Sequence, residues 1–165
     1  MPVFISYRHN DRIRAMEINK RLRDAEIKTY LDVLDAESQT TDDITSVITR
    51  NVQASTHLIA VISRTTSKSW WVPFEIGEAT ICGCRISSFQ TSYEDLPQYL
   101  EHWPKMKHER DLAMFIEEYR QSTTKSRMMG MEDYSAESSS QRIDEARESA
   151  EHFHKRFKTR LARGW

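Results

Sequence analysis

Glycine, proline and cysteine are all scarce in this chain, with four, four and two among 165 residues. The chain has no G-x-G-x-x-G segment and no P-loop, which excludes dinucleotide binding of the Rossmann kind. Its cysteines, Cys82 and Cys84, are separated by one residue, so no disulfide framework is possible. The six histidines are scattered and offer no regular set of metal ligands. We therefore expect reduced thiols and no metal site.

The chain also lacks an excess of charge of one sign and a long apolar run. The net charge is −1, so no overall field attracts nucleic acid or anionic lipid. No segment approaches the roughly 20 apolar residues of a membrane span, and the chain opens on a strand-like segment, not on a signal peptide. We expect a cytoplasmic protein that binds neither nucleic acid nor a membrane.

Strand-like and helix-like segments alternate over the first hundred residues. The predicted strands are Val3–Tyr7, Lys28–Leu31, His57–Ile62, Arg85–Phe89 and an edge strand within Leu96–Met106. This alternation predicts an α/β fold, a flavodoxin-like five-stranded parallel sheet with helices on both faces. Ligands of such sheets bind beyond the carboxyl ends of the strands, at the switch between the first and third strands.

Apolar residues at helical spacing predict which helix faces are buried. The first helix turns Ala15, Ile18 and Leu22 inward and has Asn10 or Asp11 available as its cap. The second turns inward a stripe of Ile44, Val47, Ile48 and Val52. A last packing helix is predicted at Asp111–Tyr119.

The third helix opens with Trp70-Trp71-Val72-Pro73-Phe74-Glu75. Pro73 fits only near a helix start, so Glu75 lies in the first turn, where the helix dipole favours a carboxylate. We expect the stripe of Trp70, Phe74, Gly77 and Ile81 to face the core. The adjoining stripe, Trp71, Glu75, Glu78 and Cys82, then lies at the rim, where a ligand can bind. Considered alone, Glu75 is better interpreted as a charge that complements the dipole, since acidic residues are common in first turns.

The chain divides into three predicted parts. Residues 1–120 form the α/β domain, residues 121–140 form a linker rich in Ser, Thr and Met, and residues 141–165 form a C-terminal amphipathic helix. The helix carries a narrow apolar stripe of Ile143, Ala146, Ala150, Phe153 and Phe157. An isolated helix of this length is marginal in water, so the stripe needs a partner surface. That surface is either the same chain or another subunit or effector.

Three segments, in this order, closely resemble the Toll/interleukin-1 receptor (TIR) domain family. They are Val3-Phe4-Ile5-Ser6-Tyr7-Arg8-His9-Asn10, Tyr30-Leu31-Asp32-Val33-Leu34-Asp35-Ala36-Glu37 and the Trp71…Glu75 pair. The middle segment is similar to strand two of the TIR fold running into its long BB loop. The resemblance covers roughly residues 1–120. It implies either a scaffold that assembles signalling complexes or an enzyme that cleaves the N-glycosidic bond of NAD⁺.

The resemblance implies a role for several residues. Glu75 matches the catalytic glutamate of the enzymatic members, which many scaffold members lack. NAD⁺ is then the substrate and not a cofactor, and the product is ADP-ribose or a cyclic isomer. The implied substrate-binding residues are Tyr7, Arg8, Asp32, Glu37 and Trp71.

The resemblance also implies partners. A stand-alone TIR protein of this kind is similar to prokaryotic anti-phage defence proteins, whose nucleotide product activates a separately encoded effector. Self-association through TIR–TIR contacts and the BB loop is implied as well. The alternative is a non-catalytic scaffold or a virulence module that mimics host TIR domains.

Overall fold

The computed structural model of the chain describes residues 1–31, 41–66, 71–92, 98–130 and 139–164; for residues 41–45, 71, 124–130, 139–140 and 142 it describes the backbone alone. The strands are Val3–Ser6 (β1), Thr29–Leu31 (β2), His57–Ile62 (β3), Arg85–Gln90 (β4) and Lys105–Met106 (β5). The α-helices are Arg12–Asp24 (α1), Thr41–Gln53 (α2), Trp71–Ile81 (α3), Glu109–Gly130 (α4) and Ser139–Arg163 (α5). Short 3₁₀ helices lie at His9–Asp11 and Gln98–His102.

The strands form one sheet in the order β2-β1-β3-β4-β5, and every neighbouring pair is parallel. The predicted flavodoxin-like α/β fold is therefore confirmed. β3 is apolar along almost its whole length because it is buried on both faces of the sheet. β1 pairs with β2 on one side and with β3 on the other, so the switch in strand order lies between β1 and β3.

Each face of the sheet has its own core, because successive side chains of a strand point to opposite faces. Val3 and Ile5 belong to a buried cluster with residues of α1, α4 and α5. Phe4 belongs to a second cluster with residues of α2 and α3. The helices therefore cover both faces of the sheet, as predicted.

Two of the predicted helix faces need correction. In α2, Ile48 and Val52 are buried, but Val47 is 39% exposed. In α3, Gly77 and Ile81 are exposed, Ile81 to 64%, so the predicted core-facing stripe is wrong.

The core face of α3 consists instead of Val72, Ile76 and Ala79. These residues have the same i, i+4, i+7 spacing as the predicted stripe, so periodicity alone does not choose between the two. The predicted stripe is favoured by its large aromatic side chains, whereas the small Ala79 lets the helix lie close on the sheet. Because Val72, Ile76 and Ala79 face the core, Glu75, one residue before Ile76, lies beside the buried stripe.

Helix α5 packs on its own domain. Ala150, Phe153 and Phe157 are buried, and both phenylalanines belong to the same cluster as Val3 and Phe115. The first of the two alternatives for this stripe, the same chain, is what the structure has. Helix α4 continues to Gly130, into the segment predicted as a linker. The division into three parts stays a prediction.

A buried ion-pair network also joins α5 to α4. The carboxylate of Glu118, almost fully buried, accepts hydrogen bonds from Arg156 and, at 3.1 Å, from Arg160. Arg160 also pairs with Glu117. Because Glu118 is buried, removal of either arginine would leave a partly uncompensated charge, so the network fixes how α5 lies on α4. Within the described part of the chain, no helix is both long and apolar enough to cross a membrane.

Two histidines, His57 beneath α5 and His154 on α5 itself, are held in their neutral form. His57 is fully buried between the rings of Phe115, Tyr119 and Phe153, with centroids 4.9–5.9 Å away. Burial, with the charge of Arg85, lowers the pKa of His57 well below its ordinary value. Nε2 of His154 accepts a hydrogen bond from the Ile86 N–H at 2.8 Å.

The pKa of His154 is lowered to about 4 by burial and by the nearby His102, Lys158 and Arg85. An unfolded chain protonates both histidines near pH 6.5, whereas the folded chain does so only at lower pH. The unfolded state thus binds more protons below pH 6.5, and the free energy of unfolding falls there by up to about 1.4 kcal/mol per pH unit for each histidine. For His154 the loss is complete near pH 4.

We expect this acid destabilisation in urea unfolding curves recorded between about pH 7.5 and 5, the range over which the unfolded histidines gain protons. The control is His154→Gln, whose side-chain oxygen still accepts from the Ile86 N–H but does not titrate. Its free energy of unfolding should depend less steeply on pH than that of the wild type. Identical slopes for the two proteins would contradict the assignment of His154 as a neutral, partly buried acceptor.

Candidate functional site

The candidate site lies at the carboxyl ends of β1 and β3, where the strand order switches. Residues 8–11 leave β1 and form the β1 exit turn. Residues 63–66 leave β3 and form the β3 exit turn. The chain then enters α3 at Trp71, so both turns and the first turn of α3 belong to the same edge of the sheet.

Glu75 lies on α3, and its side chain is fully buried on the side of the helix that faces the sheet. One of its carboxylate oxygens accepts a hydrogen bond from the hydroxyl of Ser6. Ser6 is the last residue of β1 and lies on the same face as Phe4, towards α3. Its partner in β3 is Ala60, so two small residues stand side by side where the carboxylate enters. The sequence predicts Glu75 in the first turn of the third helix and at the rim of the core. The structure corrects both points: α3 begins at Trp71, so Glu75 follows the first turn, and its side chain lies inside the core.

Burial of Glu75 distinguishes the two interpretations left open by the sequence. A charge that only complements a helix dipole needs no burial, because the interaction already stabilises a carboxylate on the surface. A carboxylate removed from water is costly unless it is hydrogen-bonded. Its position therefore fits a carboxylate held for a specific purpose better than a surface charge.

Arg8 lies at the exposed rim of the same edge. Its Nη1 donates a 2.6 Å hydrogen bond to the carbonyl oxygen of Thr65 in the β3 exit turn. A guanidinium has five N–H donors in a fixed fork, so one bond to a carbonyl leaves donors for an anion. The predicted cation is thus present at the carboxyl ends of β1 and β3.

Tyr7 is oriented differently. Its ring is buried in the cluster formed with α1, α4 and α5, on the face of the sheet opposite the one that holds Phe4 and α3. The alternation of side chains along β1 explains this, because Ser6 and Tyr7 must point to opposite faces. Packing of the Tyr7 ring in that core does not match the substrate-binding role that the family resemblance implies for it.

The remaining predicted residues have no described side-chain geometry. Asp32 and Glu37 lie outside the described residues, as does Trp70. Trp71 is the first residue of α3, one turn before Glu75, and the surroundings of its side chain are not described. Their roles stay predictions.

The sequence does not predict the role of two residues at this edge, Ser6 and Asp11. The sequence pattern identifies Ser6 only as part of a strand, although its small polar side chain at a strand end is a usable signal. The same pattern offers Asp11 as a cap of α1. Asp11 does stand at the position before α1, but its carboxylate makes no cap. Instead it accepts from the hydroxyls of Ser63 at 2.8 Å and Thr66 at 2.9 Å.

The arrangement places a carboxyl group and a guanidinium at one edge of the sheet. A fixed carboxylate stabilises positive charge that develops on a bound molecule, most strongly where water is excluded. A guanidinium at the rim binds phosphate oxygens. The edge therefore suits a ligand that carries phosphate and becomes cationic during reaction.

A sequence model of the family described as TIR domain matches residues 3–92. The fold is similar to the TIR domain of the Toll-related receptor TRR-2 from Hydra magnipapillata, with a TM-score of 0.56, 19% identity and coverage of 76% of this chain and 97% of that one. It is also similar to a 2-deoxyribosyltransferase from Bacillus psychrosaccharolyticus, with a TM-score of 0.59, 9% identity and coverage of 68% and 90%. At these identities both likenesses establish the fold alone. No curated protein matches the chain significantly in sequence.

Proposed function

The chain belongs to the TIR domain family, and on that premise we propose that it cleaves the bond between nicotinamide and ribose in NAD⁺. The observation that carries the proposal is the fully buried carboxylate of Glu75, held by the hydroxyl of Ser6. A scaffold that works through its surface gains nothing from an ionisable group at this place. An enzyme gains from it, because the carboxylate can stabilise a cation that forms on the substrate.

The chemistry needs one fixed negative charge. The nicotinamide nitrogen is cationic in NAD⁺, so when the C–N bond breaks it takes the electron pair and leaves neutral. The ribose carbon then carries positive charge, as in glycoside cleavage generally. Glu75 stabilises that charge, and the bond from Ser6 fixes the orientation of its carboxylate. Water adds to the carbon and loses a proton to give ADP-ribose, or an internal nucleophile adds to give a cyclic isomer.

Arg8 supplies the second element of the proposal. Its guanidinium, anchored on the Thr65 carbonyl, binds the diphosphate of the substrate through its remaining N–H groups. Trp71, one helical turn before Glu75, provides a flat surface for stacking. The BB-loop acids Asp32 and Glu37 keep the substrate-binding roles that the family resemblance implies, whereas Tyr7 is left out because its ring is buried on the opposite face of the sheet.

The proposal extends to assembly and to biological role. In this view TIR–TIR contacts through the BB loop complete the site, and head-to-tail contacts of that kind can propagate into open filaments. The nucleotide product, ADP-ribose or a cyclic form, acts on a separately encoded effector in cytoplasmic anti-phage immunity. This part is supported by the resemblance of the sequence to stand-alone TIR enzymes.

The experiment is an assay of nicotinamide release from NAD⁺ over a range of protein concentrations. We expect turnover per protein molecule to rise at least several-fold as concentration or crowding increases, because assembly completes the site. Light scattering on the same samples reports the size of the particles. Turnover that is constant while the protein remains monomeric would refute the role of assembly. No release at any concentration, in assembled samples as well, would refute the enzymatic function and favour the scaffold.

A further inference from the structure

Asp11 ties together the two exit turns that flank the candidate site. It is 7% exposed, and its Oδ2 accepts from the hydroxyls of Ser63 and Thr66 in the β3 exit turn. Its own N–H donates to the carbonyl of Arg8 at 2.7 Å, which closes the β1 exit turn. Asp11 therefore fixes the β1 exit turn to the β3 exit turn across the switch in strand order.

The β3 exit turn is itself folded tightly around those two hydroxyls. The N–H of Ser63 donates to Oγ1 of Thr66 at 3.0 Å, and the N–H of Thr66 donates to the Ser63 carbonyl at 3.1 Å. Thr65 lies between them, and its carbonyl is the group that receives the Arg8 guanidinium. The position of that carbonyl thus depends on the turn that Asp11 holds.

We propose that Asp11 is a positioning residue that presents Arg8 to the diphosphate of a dinucleotide, an inference that rests on the proposed function. The path runs from the Asp11 carboxylate through the β3 exit turn to the Thr65 carbonyl and from there to Arg8. Asp11 is buried and reaches the substrate only through these groups. An exposed arginine without this anchor would lose more rotamer freedom on binding, so the anchor favours affinity by preorganisation.

This path predicts a particular kinetic signature. Removal of the Asp11 carboxylate should weaken dinucleotide binding and raise KM, whereas kcat should change little because Glu75 is held separately, by Ser6. A purely structural residue would instead lower the amount of active protein and leave KM unchanged. The KM-against-kcat split therefore separates the two roles.

The test measures the dissociation constant of ADP-ribose by calorimetry, together with KM and kcat for NAD⁺. For Asp11→Ala we expect binding weaker by about tenfold, the size typical of residues in one hydrogen-bond network. Asp11→Asn keeps an oxygen that accepts from a hydroxyl and should recover most of the affinity. Asp111→Ala is the matched control, because Asp111 is 8% exposed and accepts from two backbone N–H groups, of Lys107 at 2.8 Å and His108 at 3.0 Å. It should leave the dissociation constant, KM and kcat unchanged.

A double mutant locates the path. If Asp11 acts through Arg8, Asp11→Ala should change the dissociation constant of ADP-ribose less than about twofold in an Arg8→Ala background. An equal loss in both backgrounds would overturn the inference. So would unchanged affinity of Asp11→Ala, or failure of the wild type to bind ADP-ribose. If Asp11→Ala does not fold, Asp11→Asn with and without Arg8→Ala decides by the same criterion.

The two hypotheses fail separately. A wild type that binds ADP-ribose with the expected dependence on Asp11 and Arg8 but releases no nicotinamide would remove the proposed function and keep the positioning role. If the wild type releases nicotinamide but Asp11→Ala binds ADP-ribose as tightly as the wild type, the proposed function stands and the positioning role is refuted.

Discussion

Replacement of Glu75 by glutamine should lower nicotinamide release by at least about a hundredfold, the usual loss when one electrostatic catalyst is removed. Glutamine has the size of glutamate, and its amide can still bond the Ser6 hydroxyl, so the fold should persist. What disappears is the negative charge beside the ribose. Because uncharged glutamine costs less to bury, the melting temperature should stay equal or rise. The assay is nicotinamide release at saturating NAD⁺, with the melting temperature measured on the same samples.

Glu78 provides the matched control on the same helix. It lies about one turn further along α3 and is partly exposed, so Glu78→Gln removes an equal charge without reaching the Ser6 hydroxyl. Its turnover should stay within a few-fold of the wild type. A folded Glu75→Gln protein with near-normal turnover would exclude Glu75 as the catalytic group, and equal losses in the two variants would reduce its role to a general effect of charge.

Truncation of Phe157 should destabilise the protein by about 3–5 kcal/mol, the usual cost of removing a buried phenylalanine side chain. Phe157 is fully buried and packs against Phe115 and Phe153, with ring centroids 6.0 and 5.6 Å away. For a chain of this size, the loss corresponds to a fall in melting temperature of roughly 6–20 °C. Thermal unfolding of Phe157→Ala, followed by circular dichroism, measures it.

Ile143 is the control for the C-terminal helix. It lies on α5 but is 42% exposed, so Ile143→Ala should change the free energy of unfolding by no more than about 0.5 kcal/mol. The fall in melting temperature of Phe157→Ala relative to the wild type should also be the same at every protein concentration, because α5 packs within its own chain. Should Phe157→Ala prove as stable as Ile143→Ala, α5 would not be part of the core.

Most of the fold could be predicted from the sequence, because most strands and helices have a recognisable local pattern. The short apolar run of β3 favours a strand, and the spacing of apolar residues in α1 and α5 favours a helix. The alternation of strands and helices then allows few topologies. The face of α3 was different. Both of its candidate stripes have the helical period, and only contact with the sheet selects Val72, Ile76 and Ala79.

The candidate site was predictable in part, for the same reason. The family resemblance singled out Glu75, and the topology rule pointed to the β1–β3 edge. Neither could give the bond from Ser6 or the one from Asp11 to Thr66, since these join residues far apart in sequence. A capping prediction for Asp11 considers only the N–H groups in the first turn of α1, whereas its carboxylate accepts from the hydroxyls of Ser63 and Thr66 on another loop.

The burial of Phe153 and Phe157 among residues of β1 and α4 has a consequence for synthesis. As the chain leaves the ribosome, β1 and β3 emerge well before α5 and α4 emerges just before it, so the aromatic face of Phe115 at first lacks its final cover. Nascent chains that end before α5 should thus be cut readily by proteases and be bound by chaperones. Under the proposed function, NAD⁺ cleavage would begin only after α5 is released, so that partly made chains do not deplete the pool of NAD⁺ in the cell.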